Sequence, residues 1–454
     1  MDQDTIVAIA TAPGPGGIGI IRLSGEQALS IGTAISGISL QPRHAHFCAF
    51  KDNTGQILDT GICLFFPAPN SFTGEHIVEI QAHGSPVILD LIVKEICALG
   101  ARQAQPGEYS QRAYLNNKID LAQAEAIADL INSTTEQAAL NASRSLQGVF
   151  SRKIDTLVSL VTNLRIFVEA AIDFPEEEID FLNNTQVKTQ LQDIIDQFDA
   201  LATEAKQGSL LQEGMKLVIA GKPNAGKSSL LNALSGQDTA IVTAIEGTTR
   251  DVLREQIQID GMPLHVVDTA GLRDSDDVIE QEGIRRAWAE IESADRILLV
   301  IDDSATSATD LQTNTLLPLQ DKTTERDIPL TIVSNKCDLS NREPAIALQG
   351  ETPVVYLSAK TGAGVDLLKH HLKACMGYKE GGEGRFSARR RHLQSLEQAR
   401  EFLLNGQSQL LHAGAGELLA EDLRMCQQSL GEITGAVSSD ELLGAIFSSF
   451  CIGK

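Results

Sequence analysis

The sequence lacks the signatures of disulfide-rich, zinc-binding and membrane-spanning proteins. Its seven cysteines are scattered, and no two form a CxxC pair, so neither a disulfide framework nor a zinc site is expected. No apolar run reaches the roughly 20 residues that a transmembrane helix needs. The acidic start, Met1-Asp2-Gln3-Asp4, lacks the basic region of a secretory signal. These absences predict a protein of the reducing cytoplasm that does not use a membrane.

Basic residues are also few. The 454 residues include 37 Lys and Arg against 60 Asp and Glu, which gives a formal net charge of −23. Binding to a nucleic-acid backbone depends on Lys and Arg that displace counterions, so a large nucleic-acid surface is not expected on this chain alone. If the protein acts on RNA, a partner would carry much of the basic surface. The length predicts about three domains.

The clearest motif that is present is a phosphate loop. Residues 221–228 read Gly-Lys-Pro-Asn-Ala-Gly-Lys-Ser and match GxxxxGK followed by Ser or Thr. The loop lies between a strand-like run, Met215–Ala220, and a helix-like run, Ser229–Leu234, so a helix N-terminus faces the anion. Lys227 is expected to reach the β- and γ-phosphates, and Ser228 to ligate Mg²⁺.

Further motifs follow at strand ends, in the order of a guanine-nucleotide site. Thr249 is the expected switch threonine, Asp268 would hold Mg²⁺ through water, and the Gly271 N–H would meet the γ-phosphate. Asp338 can accept from guanine N1–H and N2–H₂, a donor pair that adenine lacks. Together the motifs predict a GTP hydrolase. The nucleotide-binding residues that these motifs predict are Asn224, Ala225, Gly226, Lys227, Ser228, Ser229, Gly247, Thr248, Thr249, Asp268, Thr269, Ala270, Gly271, Asn335, Lys336, Asp338, Ser358, Ala359 and Lys360.

Two positions depart from a Ras-like site. Leu272 stands where a Gln orients the attacking water, and leucine cannot do this, so another group must. The acidic candidates that follow are Asp274, Asp276, Asp277, Glu280 and Glu282. The second departure is Asn224, which is either a plain turn residue or a ligand for a monovalent cation beside the phosphates.

The chain divides into four segments by pattern. Residues 1–117 combine strand-like runs with a helix and predict an α+β domain. Residues 118–213 and 378–454 have helical periodicity, and residues 214–377 alternate strand and helix, as in a doubly wound α/β sheet. We infer a multidomain protein in which the nucleotide domain is inserted into one helical domain. The alternative is that the two helical halves are separate.

Local patterns locate elements in the first segment. A GxGxxG match at Gly14–Gly19 is followed by residues that look extended, whereas a dinucleotide fingerprint needs a helix there, so an NAD or FAD site is rejected. A helix is predicted near Val87–Leu99. The predicted strands are Thr5–Ala10, Ile18–Leu23, Ile62–Phe66 and His76–Ala82.

The whole chain resembles the MnmE (TrmE) family of tRNA wobble-uridine modification GTPases. Beside the nucleotide motifs, the resemblance lies in the segments Asp4–Gly19, Ser71–Glu75, Pro106–Ala113, Asn117–Ala126, Phe447–Phe450 and Cys451–Lys454. It implies an N-terminal domain that binds folate and mediates dimerisation, a helical domain, and an inserted P-loop GTPase domain.

The resemblance also implies partners and cofactors. With the flavoprotein MnmG, which uses FAD and NADH, the family adds a carboxymethylaminomethyl or aminomethyl group to C5 of the wobble uridine of certain tRNAs. The carbon comes from a tetrahydrofolate derivative, in its methylene or 5-formyl form. The implied assembly is a homodimer that joins MnmG in a heterotetramer or larger complex with tRNA. K⁺ stimulates GTP hydrolysis by promoting contact between two G domains.

Position by position, the resemblance assigns roles to named residues. Asn224 matches the K⁺ ligand, together with Thr243, Ile245 and Thr248. The resemblance also implies that Thr243, Ala244, Ile245 and Glu246 bind the nucleotide. Ser228 and Thr249 match the Mg²⁺ ligands. Glu280 matches the carboxylate that orients the attacking water, so Glu280 and Lys227 are the predicted catalytic residues. The folate positions are Arg22, Glu79, Lys118 and Lys454.

Two features keep alternative interpretations. Cys451 is either a nucleophile near the folate carbon or a small buried residue beside Phe450 and Ile452. The run Arg389-Arg390-Arg391 either contacts tRNA or caps a helix, and its brevity on an acidic chain favours the second.

Two other functions compete with the main prediction. A regulatory RNA-binding or ribosome-assembly GTPase should carry a basic RNA module beside the nucleotide domain, and this sequence has helices and an acidic balance instead. A folate-binding scaffold whose nucleotide domain only switches shape would support tRNA modification with non-hydrolysable GTP.

Overall fold

A computed structural model describes most of the chain. The described residues are 4–173, 185–235, 254–259, 262–268, 294–305, 328–376, 386–413, 415–437 and 440–453. Within these ranges, no helix combines the length and the apolar character needed to cross a bilayer. The chain forms two compact units: the first holds residues 1–128, 145–198 and 395–454, and the second holds residues 129–144 and 199–394.

The first unit contains a six-stranded sheet in the order β3-β4-β5-β2-β1-β6. All neighbouring strands are antiparallel except β1 and β6. One face of this sheet packs against helices α1 (Ala28–Ser36) and α2 (Pro86–Ala98) around Ile21, Phe50 and Val78, which are fully buried. The strands are β1 Ile6–Ile9, β2 Gly16–Ser24, β3 His46–Lys51, β4 Ile57–Phe66, β5 Ile77–Gly84 and β6 Arg102–Gln103.

The second unit contains a seven-stranded sheet in the order β12-β13-β11-β10-β7-β9-β8. Its five inner strands are parallel, and the two edge strands are antiparallel. The central strands β7, β10 and β11 are mostly buried, as expected where helices cover both faces of a sheet. The strands are β7 Met215–Ala220, β8 Arg254–Ile259, β9 Met262–Asp268, β10 Arg296–Asp302, β11 Leu330–Asn335, β12 Ala345–Gln349 and β13 Thr352–Tyr356.

The helices are numbered along the described part of the chain. Long helices precede β7 and follow residue 389, in agreement with the helical periodicity of the sequence on both sides of the nucleotide domain. They are α1 Ala28–Ser36, α2 Pro86–Ala98, α3 Glu108–Leu115, α4 Leu121–Asn132, α5 Glu136–Leu146, α6 Val149–Asp173, α7 Thr185–Glu213, α8 Lys227–Ser235, α9 Cys337–Ser340, α10 Val365–Cys375, α11 Arg390–Ala413, α12 Gly416–Thr434 and α13 Asp440–Ser448.

The predicted multidomain fold class is confirmed, and so are the local elements of the first segment. All four predicted strands and the predicted helix are present, with ends that differ by a few residues. The residues after Gly16 form strand β2, as the rejection of a dinucleotide fingerprint required. Strand β3 was not predicted from the sequence. The predicted linker Gly377–Gly384 lies outside the described residues.

An ion-pair network fixes α3 in the first unit. Arg112 donates to the carboxylates of Asp4, Glu75 and Glu108, at 2.7 to 3.2 Å. Arg102 donates to Asp4 and Glu108, at 2.7 to 3.1 Å. The hydrogen bond from Arg102 lowers the pKa of Asp4. Burial by itself raises the pKa of Glu108, but Arg102 and Arg112 hold it below its usual value.

We predict that this network loses its stabilising effect in acid. Lowered folded-state pKa values mean that the effect is present above the ordinary carboxyl values of 3.8 and 4.5 and disappears as the pH falls below them. Replacing Arg112 with Met should cost about 3 kcal/mol at neutral pH and reduce the pH dependence.

Thermal unfolding between about pH 7 and pH 3 measures this effect. Arg424→Met is a matched control, because Arg424 pairs with Glu421 on an exposed helix surface. This substitution should change the melting temperature and its pH dependence little. Equal pH dependence in wild-type and Arg112→Met protein would contradict the prediction.

Candidate functional site

The phosphate loop connects β7 to α8 at the carboxyl edge of the second sheet. Helix α8 begins at Lys227, whose Nζ donates to the Gly221 carbonyl at 2.9 Å. Gly226 has φ +96°, and a Cβ there would lie 2.3 Å from the Asn335 amide nitrogen, so glycine is required both by conformation and by space. The close packing of this loop against Asn335 therefore depends on glycine at position 226.

Asn335 joins the phosphate loop to the two predicted guanine loops, which are residues 335–338 and 358–360. Its Nδ2 donates to the Ala225 carbonyl at 2.9 Å. Its Oδ1 accepts from the Lys336 N–H at 2.8 Å and from the Ala359 N–H at 2.9 Å. The residue is 3% exposed, so this one amide fixes three predicted nucleotide-binding segments against each other.

Lys336 spans from the guanine loop to the phosphate loop. It has φ +67°, and its Nζ donates to the Asn224 carbonyl at 2.8 Å and to the Asp302 carboxylate at 2.6 Å. Burial by itself raises the pKa of Asp302, but hydrogen bonds from Lys336 and Ser304 hold it below its usual value. Asp302 is therefore ionised and orients Lys336, a role that the sequence analysis missed. An acidic residue at the end of a central strand was the available signal.

The segments predicted to bind guanine form two connected turns. Asp338 lies exposed in the first turn of α9, directly after the buried Cys337. The Cys337 N–H donates to the Leu357 carbonyl at 3.2 Å, which joins this turn to the one that carries the buried Ser358, the half-buried Ala359 and the exposed Lys360. The Asp338 carboxylate is thus open to a ligand beside the Ala359 N–H segment.

Several predicted residues lie outside the described part of the chain. For Asp268 only the backbone is described, paired with Ile219 of β7 at the end of β9. This register brings the start of the predicted Asp-Thr-Ala-Gly motif beside the strand that leads into the phosphate loop. The undescribed residues are Thr243, Ala244, Ile245, Glu246, Gly247, Thr248, Thr249, Thr269, Ala270, Gly271, Glu280 and Lys454.

The first unit brings together two of the predicted folate positions. Arg22 on β2 lies directly opposite Glu79 on β5, and its Nε and NH2 lie 2.9 and 2.8 Å from Glu79 Oε1. The fully buried Tyr109 donates its hydroxyl to the Arg22 carbonyl at 2.5 Å. Sequence analysis did not identify Tyr109. The Arg22 and Glu79 side chains are 25% and 16% exposed, so both are accessible to a ligand.

The other two described positions have different surroundings. Lys118 Nζ donates to the Pro69 carbonyl at 3.0 Å, and Lys118 also lines a pocket of about 460 Å³ with Asp120 and Asp155. Partial burial and the nearby Asp120 raise the pKa of Asp155. Cys451 is exposed, so the interpretation of it as a small buried residue is wrong. Its carbonyl accepts from the Gly107 N–H at 3.4 Å, so the C-terminal tail packs against the start of α3.

Comparisons with known proteins agree across the whole chain. A family model described as the MnmE helical domain matches residues 121–451, and one described as the GTP-binding protein TrmE N-terminus matches residues 5–118. The chain is 58% identical to tRNA modification GTPase MnmE of Marinobacter nauticus, over 99% of both proteins. It is also 58% identical to the protein of that name from Pectobacterium atrosepticum, over 100% of both.

Solved structures of GTP-binding proteins match part of the chain. One is Era of Aquifex aeolicus in complex with GDP·AlF₄⁻. It is 25% identical, with a TM-score of 0.28, and the match covers 42% of this chain and 67% of that one.

We predict that Asp302→Asn weakens GDP binding about tenfold, because the Lys336 ammonium loses a charge-assisted hydrogen bond. Isothermal titration of GDP measures this change. Ser304→Ala is the matched control, since it removes another hydrogen bond to Asp302 and leaves Lys336 in place. Unchanged GDP affinity in Asp302→Asn would show that Lys336 does not depend on this carboxylate.

Proposed function

Because the chain belongs to the MnmE family of tRNA modification GTPases, we propose that its GTP hydrolysis serves the addition of a carboxymethylaminomethyl or aminomethyl group to C5 of the wobble uridine. The reaction would take place with the flavoprotein MnmG, which uses FAD and NADH, and with a carbon from a tetrahydrofolate derivative. The observation that carries the nucleotide part is the Asn335 amide, which assembles the phosphate and guanine loops into one site.

In the proposed hydrolysis, the chain supplies binding, orientation and charge. Lys227 neutralises the β- and γ-phosphates, and Ser228 with Thr249 would hold Mg²⁺, which supplies further neutralisation. Glu280 would orient the attacking water in place of the missing glutamine. The Asp338 carboxylate would select guanine by accepting hydrogen bonds from the N1–H and N2–H₂ groups of the base.

A monovalent cation fits the surroundings of Asn224. Its backbone carbonyl is taken by Lys336, and its φ of +65° is one that asparagine tolerates better than most residues. The exposed side-chain oxygen is of the type that K⁺ prefers. With oxygens of Thr243, Ile245 and Thr248, it would hold K⁺ beside the phosphates, where positive charge assists phosphoryl transfer.

A tetrahydrofolate derivative fits the Arg22–Glu79 pair. Arg22 approaches Glu79 Oε1, which leaves Oε2 as an acceptor for pterin N–H groups. Lys118 and Lys454 would add positive charge for the anionic tail. The carboxylates of Asp120 and Asp155 in the pocket beside Lys118 disfavour that pocket as the place of the tail, because like charges repel.

A second copy of the chain is the proposed occupant of the open sheet face in the first unit. Register places Phe47, Ile62, Glu79 and Arg22 on the same face, away from α1 and α2. Phe47 is 78% exposed and Ile62 is 36% exposed. An apolar patch beside the proposed folate site is typical of an interface, so the homodimer would bury it and enclose the ligand.

The function is tested first by the kinetics of GTP hydrolysis. The purified chain should hydrolyse GTP faster in K⁺ than in Na⁺ at equal ionic strength. Glu280→Ala should keep GDP affinity and lose about 10²-fold or more in turnover, whereas Glu282→Ala, a neighbouring acid, is the control. Equal slow rates in both salts would contradict the cation role.

The same variants are then expressed in cells that lack the native chain. Mass spectrometry of nucleosides from their tRNA should find the modified uridine with the wild-type and Glu282→Ala chains and little with Glu280→Ala. Full modification with Glu280→Ala would contradict the proposal and favour a folate-binding scaffold that needs no hydrolysis.

We also predict that Phe47→Glu disrupts the homodimer, because it places charge in the apolar patch. Analytical ultracentrifugation measures the mass in solution. Leu348→Glu is the control, since Leu348 is similarly exposed, at 73%, on an edge strand of the other sheet. A dimer that persists in Phe47→Glu would place the interface elsewhere.

A further inference from the structure

Asp129 accepts four hydrogen bonds inside the second unit. It lies on α4, and its side chain is 4% exposed. Oδ1 accepts from Arg389 NH2 and Nε at 2.6 and 3.1 Å and from Gln212 Nε2 at 3.1 Å. Oδ2 accepts from Ser387 Oγ at 2.7 Å. So many donors on one buried carboxylate require a specific arrangement of the segments that supply them.

The donors come from the two points where the chain enters and leaves the nucleotide-binding part. Gln212 is in the last turn of α7, just before β7, and Ser387 and Arg389 lie just before α11. The backbones also meet closely here, because a Cβ on Gly208 of α7 would lie 2.1 Å from the Phe386 carbonyl oxygen. Asp129 therefore binds both connecting segments, the end of α7 and the residues before α11, through hydrogen bonds at one point.

A second set of contacts joins this point to the sheet. Arg390 Nε donates to Glu213 Oε2 at 2.8 Å, and Arg390 NH2 lies 3.8 Å from Asp295. The Glu213 carbonyl lies 2.9 Å from His265 Nε2 on β9. Asp295 precedes β10 and accepts from the Lys216 N–H of β7 at 2.9 Å. The junction thus contacts β7 and β10 at their amino ends and β9 at its middle residue, His265.

The carboxyl ends of those three strands carry the nucleotide site. β7 leads into the phosphate loop, β9 ends at Asp268, and β10 ends at Asp302. A strand buried in a sheet is stiff along its length, so a displacement at one end reaches the other. The contacts of Asp129 then transmit this displacement to α4, α7 and α11, because moving one of these segments alone would break charge-assisted hydrogen bonds.

We propose that Asp129 is a positioning residue that couples GTP turnover to tRNA modification by holding β7, β9 and β10 fixed to α4, α7 and α11. The proposal rests on the function proposed above, in which hydrolysis serves modification. Under it, the basic run Arg389-Arg390 acts within the protein, through Asp129 and Glu213, and not as a tRNA contact.

The test compares two quantities for Asp129→Asn, which keeps the shape and removes the charge. In the purified full chain, GTP hydrolysis should stay within about twofold of wild type, because no nucleotide-binding residue changes. In cells that lack the native chain, the modified uridine should fall by about fivefold or more. Arg424→Gln, at an exposed ion pair on α12, should change neither.

A purely structural role gives a different result. It would lower the melting temperature, hydrolysis and modification together, in proportion to the folded fraction, and that outcome overturns the proposal, as does unchanged modification. If Asp129→Asn does not accumulate, Arg389→Lys is measured by the same criteria. It keeps the positive charge but loses the pair of hydrogen bonds that two guanidinium nitrogens donate to Asp129. Glu280→Ala in the same cells separates the two proposals. Full modification with Glu280→Ala contradicts the proposed function and, with it, the coupling. Loss of modification with Glu280→Ala beside full modification with Asp129→Asn contradicts the role of Asp129 alone.

Discussion

The nucleotide site depends on the buried amide of Asn335. Its donor is bonded to the phosphate loop, and its acceptor is bonded to two backbone N–H groups of the guanine loops. A planar group with both ends engaged tolerates little displacement, because a shift leaves a buried donor or acceptor unsatisfied at a cost of about 1–3 kcal/mol. This one amide fixes the positions of Lys336 and Ala359 relative to Ala225. It thereby also fixes the turn that carries the exposed Asp338, which lies two residues after Lys336.

Carboxylates position the cations of this acidic chain. Asp302 holds Lys336, Glu79 holds Arg22, and Asp129 holds Arg389. Each pair is at least partly withdrawn from solvent, where an unpaired charge would be costly, so each cation has a defined place. These three cations are committed to internal contacts, in a chain whose formal net charge is −23.

Much of the fold was predictable from local pattern. The phosphate loop, the strands that carry the nucleotide motifs and the α+β character of the first segment follow from apolar periodicity and glycine placement, which act within a few residues. Strand β3 was missed because its apolar residues, such as Phe47 and Phe50, point to opposite faces, and only the position of β4 decides which face is covered. The order of strands is equally invisible locally, because it depends on how the crossovers pack.

The sequence by itself determined the chemistry and the family: a guanine-nucleotide site, a helical segment on each side of it, and a chain with the motifs of tRNA modification GTPases. These properties reside in short runs whose spacing is read directly. The tertiary structure alone decided the pairing of Arg22 with Glu79, of Lys336 with Asp302, and of Asp129 with Arg389. The partners lie 57, 34 and 260 positions apart, and such pairs form only when packing brings distant elements together and burial makes a charged partner necessary.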